Sequence, residues 1–304
     1  MSQPLVSIAI NNYNYGQFLS DAIESALQQS YVNCEVIVVD DGSTDNSREI
    51  MASYGDRIIP VLKHNGGQAS AFNAGFAASR GEIVCFLDAD DLFLPDKVTA
   101  VVQAFGDRPE LGWCFHPLKP VDIEAQPIDE ATLYDGSLRQ YDMRQQLRQG
   151  KLTDRFPPPS TSGLCFRRSL IQQILPMPEA KRIGLNDGYL EFTAIGLSPG
   201  LFIHQELGLY RLHGANAYAK TADKQRRKAR IIILTGYWMR VKFPQFARYA
   251  NNLIGAGLGI YWRAGGVEAE SQEFLKKHLA ATPLIAKLAI YLRAVYVYLK
   301  NPQD

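Results

Sequence analysis

The 304-residue sequence is poor in several features that define common protein classes. No two of its four cysteines have metal-ligand spacing, which predicts buried free thiols in a reducing compartment. It has no uncharged apolar stretch of about 18 residues, so we expect no ordinary transmembrane helix. The N-terminal stretch MSQPLVSIAI has no basic segment and no long apolar core, so we expect no signal peptide. Together these absences predict a cytoplasmic protein.

Charge is unevenly divided along the chain. Residues 1–220 hold 18 Lys and Arg against 26 Asp and Glu, a net charge of −8, whereas residues 221–304 hold 14 against 5, a net charge of +9. A hydrophobic fraction of 46% with 21% charged residues predicts a globular chain with a sizeable core. The acidic body has no basic groove, so we expect no nucleic-acid partner.

The first third of the chain alternates between apolar runs typical of strands and segments with helical spacing. This alternation predicts an α/β fold with a mostly parallel central sheet and helices on both faces. Pro60 indicates that its strand lies at a sheet edge. The predicted strands are 5–10, 35–40, 57–62 and 82–88, and the predicted helices are 16–30, 43–54, 68–80 and 95–105. Further along, we predict a strand at 112–117, a strand then a helix in 162–176, a helix at 186–197, and helices almost throughout beyond 221.

Acidic residues follow two of the predicted strands. Asp40 and Asp41 end one, and Asp88, Asp90 and Asp91 end another. Ligands of open α/β sheets bind beyond the carboxyl ends of the strands. We therefore expect both acidic clusters to face one crevice.

The turn at 88–91 allows three interpretations. A helix cap would use only one aspartate, whereas this turn has three. A calcium loop needs oxygen ligands at alternating positions, a glycine sixth and a glutamate twelfth; Leu92, Phe93 and Thr99 stand fifth, sixth and twelfth, so that interpretation fails. The remaining one is an open Mg²⁺ or Mn²⁺ site, in which substrate phosphates complete the ligands of one or two carboxylates.

Four ordered motifs carry a resemblance to a known family. They are VSIAINNYN (6–14), VIVVDDGSTDNS (36–47), NGGQASAFNAG (65–75) and the D-x-D motif FLDADD (86–91). The chain resembles family 2 glycosyltransferases with a GT-A fold over about residues 4–216. The resemblance implies a glycosyltransferase domain at 1–220, with a nucleotide-sugar-binding half at 1–105 and an acceptor-binding half at 106–220. Residues 221–304 would form a basic helical C-terminal extension.

The resemblance also implies roles for individual residues. Asp40 and Asp41 would read the uracil and ribose of a UDP-sugar, and Asp88 would bond the ribose and donor sugar. Asp90 and His213 would hold a divalent metal, Mn²⁺ or Mg²⁺. The other implied donor-binding residues are Asn11, Tyr13, Gly67, Gln68, Asn73 and Ala89.

In this family a single displacement inverts the anomeric centre, which requires a general base and no protein nucleophile. The resemblance assigns the base to Asp187 at the start of a predicted helix, with Glu191 one turn later in reserve. The implied reaction moves a sugar from a nucleotide-diphosphate donor to a hydroxyl of a saccharide or lipid-linked acceptor. This chemistry belongs to cell-surface polysaccharide or glycan biosynthesis.

Two other functions occur for chains with similar features, a nucleotidyltransferase and a sugar-nucleotide-binding module. A nucleotidyltransferase would need a glycine-rich, basic loop after the first strand, but NNYNYGQF has no Lys or Arg. The presence of Asp88, Asp90, Asp187 and His213 argues against a sugar-nucleotide-binding module without activity.

The basic C-terminal segment has two open interpretations. It includes KQRRKAR (224–230) and an apolar stretch at 283–300 interrupted by Lys287 and Arg293. Its helices either pack on the catalytic domain with a solvated basic face, or attach the protein to an anionic membrane surface. The second would suit a lipid-linked acceptor at the inner face of the membrane.

Overall fold

A computed structural model describes residues 3–128, 134–151, 159–179, 184–214 and 224–300. Its strands are β1 Val6–Asn12, β2 Cys34–Asp40, β3 Ile59–Leu62, β4 Ile83–Asp88, β5 Leu92–Phe93, β6 Trp113–Phe115, β7 Lys119–Val121, β8 Leu138–Tyr141, β9 Leu164–Arg167, β10 Gly200–Ile203 and β11 Gly208–Arg211. Its α-helices are α1 Gly16–Leu27, α2 Ser47–Ser53, α3 Gln68–Ala78, α4 Lys97–Phe105, α5 Arg144–Arg148, α6 Arg168–Ile174, α7 Asp187–Leu197, α8 Lys224–Lys242, α9 Ala247–Arg263, α10 Ala269–Ala280 and α11 Leu284–Leu299.

The chain divides into two compact units. The first comprises Met1–Asp142, Arg155–Glu179 and Leu197–His213, and the second comprises Met143–Asp154, Ala180–Gly196 and Gly214–Asp304. Both units are discontinuous in sequence. The domain boundary that we predicted at residue 220 stays a prediction.

The first unit contains an eight-stranded sheet with the order β3-β2-β1-β4-β9-β6-β10-β8. The four strands at the β3 end are parallel to one another, whereas β9 pairs antiparallel with both β4 and β6. This agrees with the α/β prediction, and the strand with Pro60 lies at the sheet edge as predicted. A three-stranded sheet with the order β5-β11-β7 lies in the same unit.

Helices cover both faces of the parallel strands because β1 and β2 are apolar on both sides. On one face, Ile8 and Ile10 pack in a buried cluster with Leu19 and Ile23 of α1. On the other face, Ile37 and Val39 pack with the small residues of α3. A methyl group at Gly75 of α3 would come within 3.2 Å of the Ala9 side chain, so this helix needs small residues to approach the sheet.

Three cysteines lie in one row across adjacent strands. Cys165 of β9 stands opposite Cys85 of β4 and Cys114 of β6, and all three are fully buried free thiols. Cys34 is half-buried. The predicted buried thiols are thus found at three of the four positions.

Helix α2 begins at Ser47, four residues later than the predicted start. The intervening residues are used in a turn instead of a helix. Ser43 Oγ accepts the Asn14 N–H at 2.9 Å, and Asn14 Oδ1 accepts the Thr44 N–H at 2.8 Å. Short polar side chains compete for backbone groups in this way and delay helix formation.

The second unit is helical. Helices α8, α9 and α11 share a core that includes Ala229, Ile254 and Ile290. Arg230 of the basic segment forms an ion pair within this unit, with Glu268 at 2.6 Å. Within the described residues, no helix combines the length and apolar character needed to cross a membrane.

Candidate functional site

The carboxyl ends of three parallel strands bring polar side chains to one edge of the sheet. Strand β1 lies between β2 and β4, with Asn12 opposite Asp40 and Asn11 opposite Asp88. Neighbouring strands are about 4.8 Å apart, so the two acidic strand ends are separated by roughly 10 Å. Both acidic clusters therefore lie beyond the same edge, as their sequence positions predicted.

Asp40 is buried and fully engaged by protein groups. It pairs with Arg48 at 2.8 Å and accepts hydrogen bonds from Asn12 Nδ2 and the Ser43 backbone N–H. Burial raises the pKa of this carboxyl, but the bonds from Ser43 and Arg48 outweigh burial and hold the pKa below its ordinary value. Asp40 is therefore an anion that shapes the turn after β2.

Asp41 fixes the loop that leads into α3. Its carboxylate pairs with Lys63 and accepts the backbone N–H groups of Gly66 and Gly67 at 3.0 and 2.7 Å. Gly67 has φ of 83°, a left-handed conformation that favours glycine. The implied donor-binding position Gly67 is thus joined directly to Asp41. The sequence analysis did not predict that Lys63 pairs with Asp41. The only signal in the sequence was that a lysine stands three residues before Gly66.

The polar residues of α3 contact a distant part of the chain. Gln68 Nε2 donates to Thr161 Oγ1 at 3.2 Å. Asn73 exchanges two hydrogen bonds with the backbone of Met177, at 2.9 and 2.7 Å, and also donates to Glu179. Asn73 therefore anchors the 177–179 segment in this structure, and its contact with a donor stays a prediction.

Asn11 is a buried residue of the site whose side-chain amide forms no hydrogen bond with the described part of the protein. Asn11 is 8% exposed, and neither its Nδ2 nor its Oδ1 has a hydrogen-bond partner among the residues that the structure describes. Burying an amide in this way costs about 1–3 kcal/mol. Tyr13, two residues later, is 47% exposed. An exposed aromatic ring two residues after an unsatisfied amide is suited to receiving a polar, planar ligand.

The D-x-D turn gathers three carboxylates. One oxygen from each of Asp88, Asp90 and Asp91 lies within 4.8 Å of the others. The buried Ala89 between them donates its N–H to the Asn11 carbonyl at 3.1 Å, which extends the β1–β4 pairing into the turn. This backbone bond fixes the turn against the end of β1.

His213, the last residue of the first unit in sequence, lies beside this turn. Its Nε2 lies 3.1 Å from Asp90 Oδ2, and its side chain is only 2% exposed. The ring packs against Phe18 and edge-on to Tyr15, with centroid distances of 4.7 and 5.6 Å. The two implied metal ligands, Asp90 and His213, are therefore neighbours.

Asp91 ties the turn to two other segments. It accepts the Ser162 hydroxyl at 2.6 Å and the Arg211 backbone N–H at 3.1 Å, while Ser162 Oγ accepts the Asp88 N–H at 3.1 Å. Burial, and then the charge of Asp90, raise the pKa of Asp91 well above its ordinary value. The resemblance implies no role for Asp91, and no sequence signal marked Ser162 as its partner.

Burial of Tyr15 and the charges of Asp90 and Asp88 also raise the pKa of its hydroxyl. The charges of Asp90 and Asp88 therefore act on the groups around the turn. Clustered carboxylate oxygens with one imidazole suit a divalent cation of the Mg²⁺ or Mn²⁺ kind. The residues present thus fit the metal that the resemblance implies.

Asp187 and Glu191 belong to the second unit. Asp187 lies in the first turn of α7, where its carboxylate accepts the Gly188 N–H at 2.9 Å. Burial, with a contribution from Asp187, raises the pKa of Glu191 to about 8. A carboxyl with such a pKa carries a proton at neutral pH. The role of Asp187 as the base stays a prediction.

Solved structures share this architecture. The chain superposes on Staphylococcus aureus TarS residues 1–349, solved with UDP-GlcNAc, with a TM-score of 0.66 over 97% of this chain and 89% of that one, at 15% identity. A Pyrobaculum calidifontis mannosyltransferase, PcManGT, solved with GDP-Man and Mn²⁺, gives 0.55 over 98% and 88% at 18% identity. Similarity at this level shows the fold, which is that of the GT-A glycosyltransferases.

Sequence comparison then gives the family. The family model described as "Glycosyl transferase family 2" matches residues 7–175, more than half of the chain. An uncharacterized glycosyltransferase of Nostoc sp. is 38% identical over 72% of this chain and 68% of its own length. The chain belongs to glycosyl transferase family 2 and is a glycosyltransferase.

Other curated relatives match over shorter stretches. The candidate teichuronic acid biosynthesis glycosyltransferase TuaG of Bacillus subtilis is 32% identical over 45% of this chain and 58% of its own length. The match to an uncharacterized glycosyltransferase of Rickettsia typhi covers 30% of that protein. The chain thus spans less than two thirds of both proteins.

The raised pKa of Glu191 predicts a pH-dependent stability. In the window from about 5 to about 8, the folded state holds a proton on Glu191 that the unfolded state has lost, so stability falls as pH rises. We expect Glu191→Gln to remove this loss, so that its advantage over the wild type grows by about 1 kcal/mol or more between pH 5 and pH 8. Urea denaturation at both pH values measures it, with the exposed Glu124→Gln as the control. An advantage that is the same at both pH values contradicts the assignment.

Proposed function

We propose that the protein is an inverting glycosyltransferase that moves a sugar from a UDP-sugar to a hydroxyl of a saccharide or lipid-linked acceptor. The observation that carries the proposal is the 3.1 Å contact between His213 and Asp90, which are far apart in sequence and meet beside the ends of β1, β2 and β4. An imidazole nitrogen this close to a carboxylate oxygen of the D-x-D turn could serve with it as a second ligand to a cation. A site for a diphosphate donor with its cation explains the arrangement.

The nucleotide would lie against the ends of β1 and β2. Asn11 offers one amide donor group and one acceptor oxygen, and this pair complements the alternating carbonyl and N–H edge of uracil. Asp40 and Asp41 hold the two flanking loops through their pairs with Arg48 and Lys63. The solved neighbours bind UDP-GlcNAc and GDP-Man respectively, so the preference for uracil rests on Asn11 and on the resemblance of Asp40 and Asp41.

The diphosphate would lie at the D-x-D turn. Asp90 and His213 would hold Mn²⁺ or Mg²⁺, with Asp88 facing the ribose and donor sugar. A bound divalent ion neutralises the charge that develops on a leaving diphosphate. Asp91 would position the two metal ligands, because it holds the backbone of the turn and that of Arg211, two residues before His213.

Asp187 would take the proton from the acceptor hydroxyl as that oxygen attacks the anomeric carbon on the side opposite the diphosphate. Direct displacement inverts this centre, and correct alignment of the two reacting groups supplies much of the rate. Glu191, which holds its proton at neutral pH, is less suited to act as the base than Asp187.

The acceptor and the location complete the proposal. TuaG is named for teichuronic acid biosynthesis, and this supports a role for our protein in cell-surface polysaccharide biosynthesis. A lipid-linked acceptor would lie at the membrane surface, so we place the enzyme at the inner face of the membrane. The net charge of +9 in residues 221–304 supports attachment to anionic lipid.

The unsatisfied amide of Asn11 predicts an unusual pair of effects. Asn11→Leu removes no internal hydrogen bond of the described structure, so we expect thermal stability to be equal or higher. UDP affinity, measured by calorimetry with Mn²⁺, should fall about tenfold or more. The matched control is Asn12→Leu, which loses bonds to Asp40 and Ser43 and should be less stable. If Asn11→Leu loses stability and keeps its UDP affinity, Asn11 does not read the base.

For the metal site, we expect Asp90→Ala to abolish metal-dependent transfer while the fold survives. Circular dichroism should be unchanged, and Mn²⁺ affinity in the presence of UDP, measured by electron paramagnetic resonance, should fall at least about tenfold. The exposed Asp107→Ala serves as the control. Full activity in Asp90→Ala would remove Asp90 from the metal site.

For the base, we expect Asp187→Asn to bind UDP-sugar as the wild type does and to turn over about 10²–10⁴-fold more slowly. Equilibrium binding and kcat, measured separately, distinguish these effects. Glu191→Gln is the comparison variant. If Glu191→Gln loses turnover and Asp187→Asn keeps it, the two roles are reversed.

A further inference from the structure

Helix α11 carries a broad apolar surface that the described chain leaves uncovered. Ile285 is 86% exposed and Leu284 is 82% exposed. At 100° per residue, the exposed apolar side chains cover an arc of about 160° of the helix. We call this the α11 outer face; it consists of Leu284, Ile285, Leu288, Tyr291, Leu292, Val295, Tyr296, Tyr298 and Leu299.

The opposite side of α11 is locked onto α9, so the outer face cannot turn inward. Ile290 and Ala294 are buried. A methyl group at Gly255 of α9 would come 2.7 Å from the Ile290 carbonyl oxygen, and one at Gly259 would meet the Ala294 carbonyl oxygen. This backbone-close packing, with glycines four residues apart, fixes the rotation of α11. At its C-terminal end, Arg263 donates to the Lys300 carbonyl at 3.0 Å.

The charges around the outer face have one sign. Residues 274–300 contain five Lys and Arg and no Asp or Glu. On the helical wheel, Lys287 borders one side of the outer face, and Arg293 and Lys300 border the other. Trp262 packs edge-on to Tyr298 at 6.3 Å, which adds an aromatic group at the end of the helix. Apolar face, flanking cations and boundary aromatics are the composition of a helix that lies in a membrane interface.

We propose that the α11 outer face inserts into the surface of a membrane that contains anionic phospholipid. The helix has 16 residues, about 24 Å at 1.5 Å per residue, and would lie in the plane of the interface. Its leucines and isoleucine enter the boundary with the acyl chains, while Lys287, Arg293 and Lys300 contact phosphate groups.

Charge favours lipid over a second copy of the chain. A symmetric dimer through this face would place the same surface of both copies together. The cations bordering each face would then meet cations, since residues 274–300 hold no carboxylate to pair with them. An anionic lipid surface complements both the apolar and the charged groups. The proposal rests on the membrane location proposed above, but not on the transfer reaction.

The test compares two double variants of the full chain in vesicle flotation. Leu288→Glu/Leu292→Glu places carboxylates on the outer face, at positions that are 61% and 62% exposed. Val32→Glu/Leu62→Glu makes the same change at exposed apolar positions of the first unit, 83% and 56% exposed. The vesicles are phosphatidylcholine with phosphatidylglycerol, or phosphatidylcholine alone, and thermal melts confirm that both variants are folded.

We expect the wild type and the Val32/Leu62 variant to bind the phosphatidylglycerol vesicles, more strongly at low salt. The Leu288/Leu292 variant should bind at least about tenfold more weakly. Hydrogen exchange of the wild type should show added protection in Leu284–Leu299 when vesicles are present, which does not depend on any variant. Asp90→Ala should bind like the wild type, so loss of transfer and loss of lipid binding are separate results.

Equal binding by the two double variants would overturn the proposal, as would protection that appears outside α11. A wild type that binds neither kind of vesicle would overturn it too. If light scattering then shows a dimer that Leu288→Glu/Leu292→Glu converts to a monomer, the occupant of this face is a second copy.

Discussion

Three carboxylates crowded into one turn impose the main constraint on the first unit. Their oxygens lie within 4.8 Å of one another. At an effective dielectric constant of about 20, each charged pair repels by about 3 kcal/mol or more. The surrounding residues reduce this repulsion in different ways. Asp91 is buried where its pKa is raised and accepts two hydrogen bonds, and Asp90 contacts His213. A cation is the group that would relieve the remaining charge.

The neighbouring acidic pair is built differently. Asp40 is paired with Arg48 and Asp41 with Lys63, so both are neutralised by side chains of the protein. The two carboxylates hold the loops after β2 and before α3 in place. One edge of the sheet thus combines a region that the protein satisfies itself with a turn and an amide, Asn11, that it leaves for a ligand. The proposed donor site would use the turn and Asn11, while Asp40 and Asp41 keep the flanking loops in place.

Local patterns in the sequence predicted much of this fold. The strands from β1 to β4 and the helices between them are marked by apolar runs and helical spacing, and the acidic strand ends follow from their positions. The resemblance added His213, which spacing alone did not distinguish from a surface histidine. What the sequence could not reveal are pairings between distant segments. Ser162 with Asp91 and Asn73 with Met177 depend on β9 and the 175–179 segment folding back.

The second unit shows the same limit. Its helices were predicted, but sequence alone could not show that 143–154 and 180–196 group with the C-terminal residues. The basic segment was expected to be either solvated or lipid-bound. Within the described residues, Arg230 is paired with Glu268, and an exposed apolar surface lies on α11. Helical spacing predicts which residues share a face, but only the packing of α9 against α11 shows which face is exposed.

The central claim is that a nucleotide diphosphate and a divalent cation occupy the edge formed by β1, β2 and β4. A crystal structure with UDP and Mn²⁺, with anomalous data collected at the manganese edge, tests it most directly. We predict one anomalous peak in coordination contact with Asp90 and His213, and uracil within hydrogen-bond distance of the Asn11 amide. A manganese peak away from the D-x-D turn, or UDP bound at another edge of the sheet, would contradict the account.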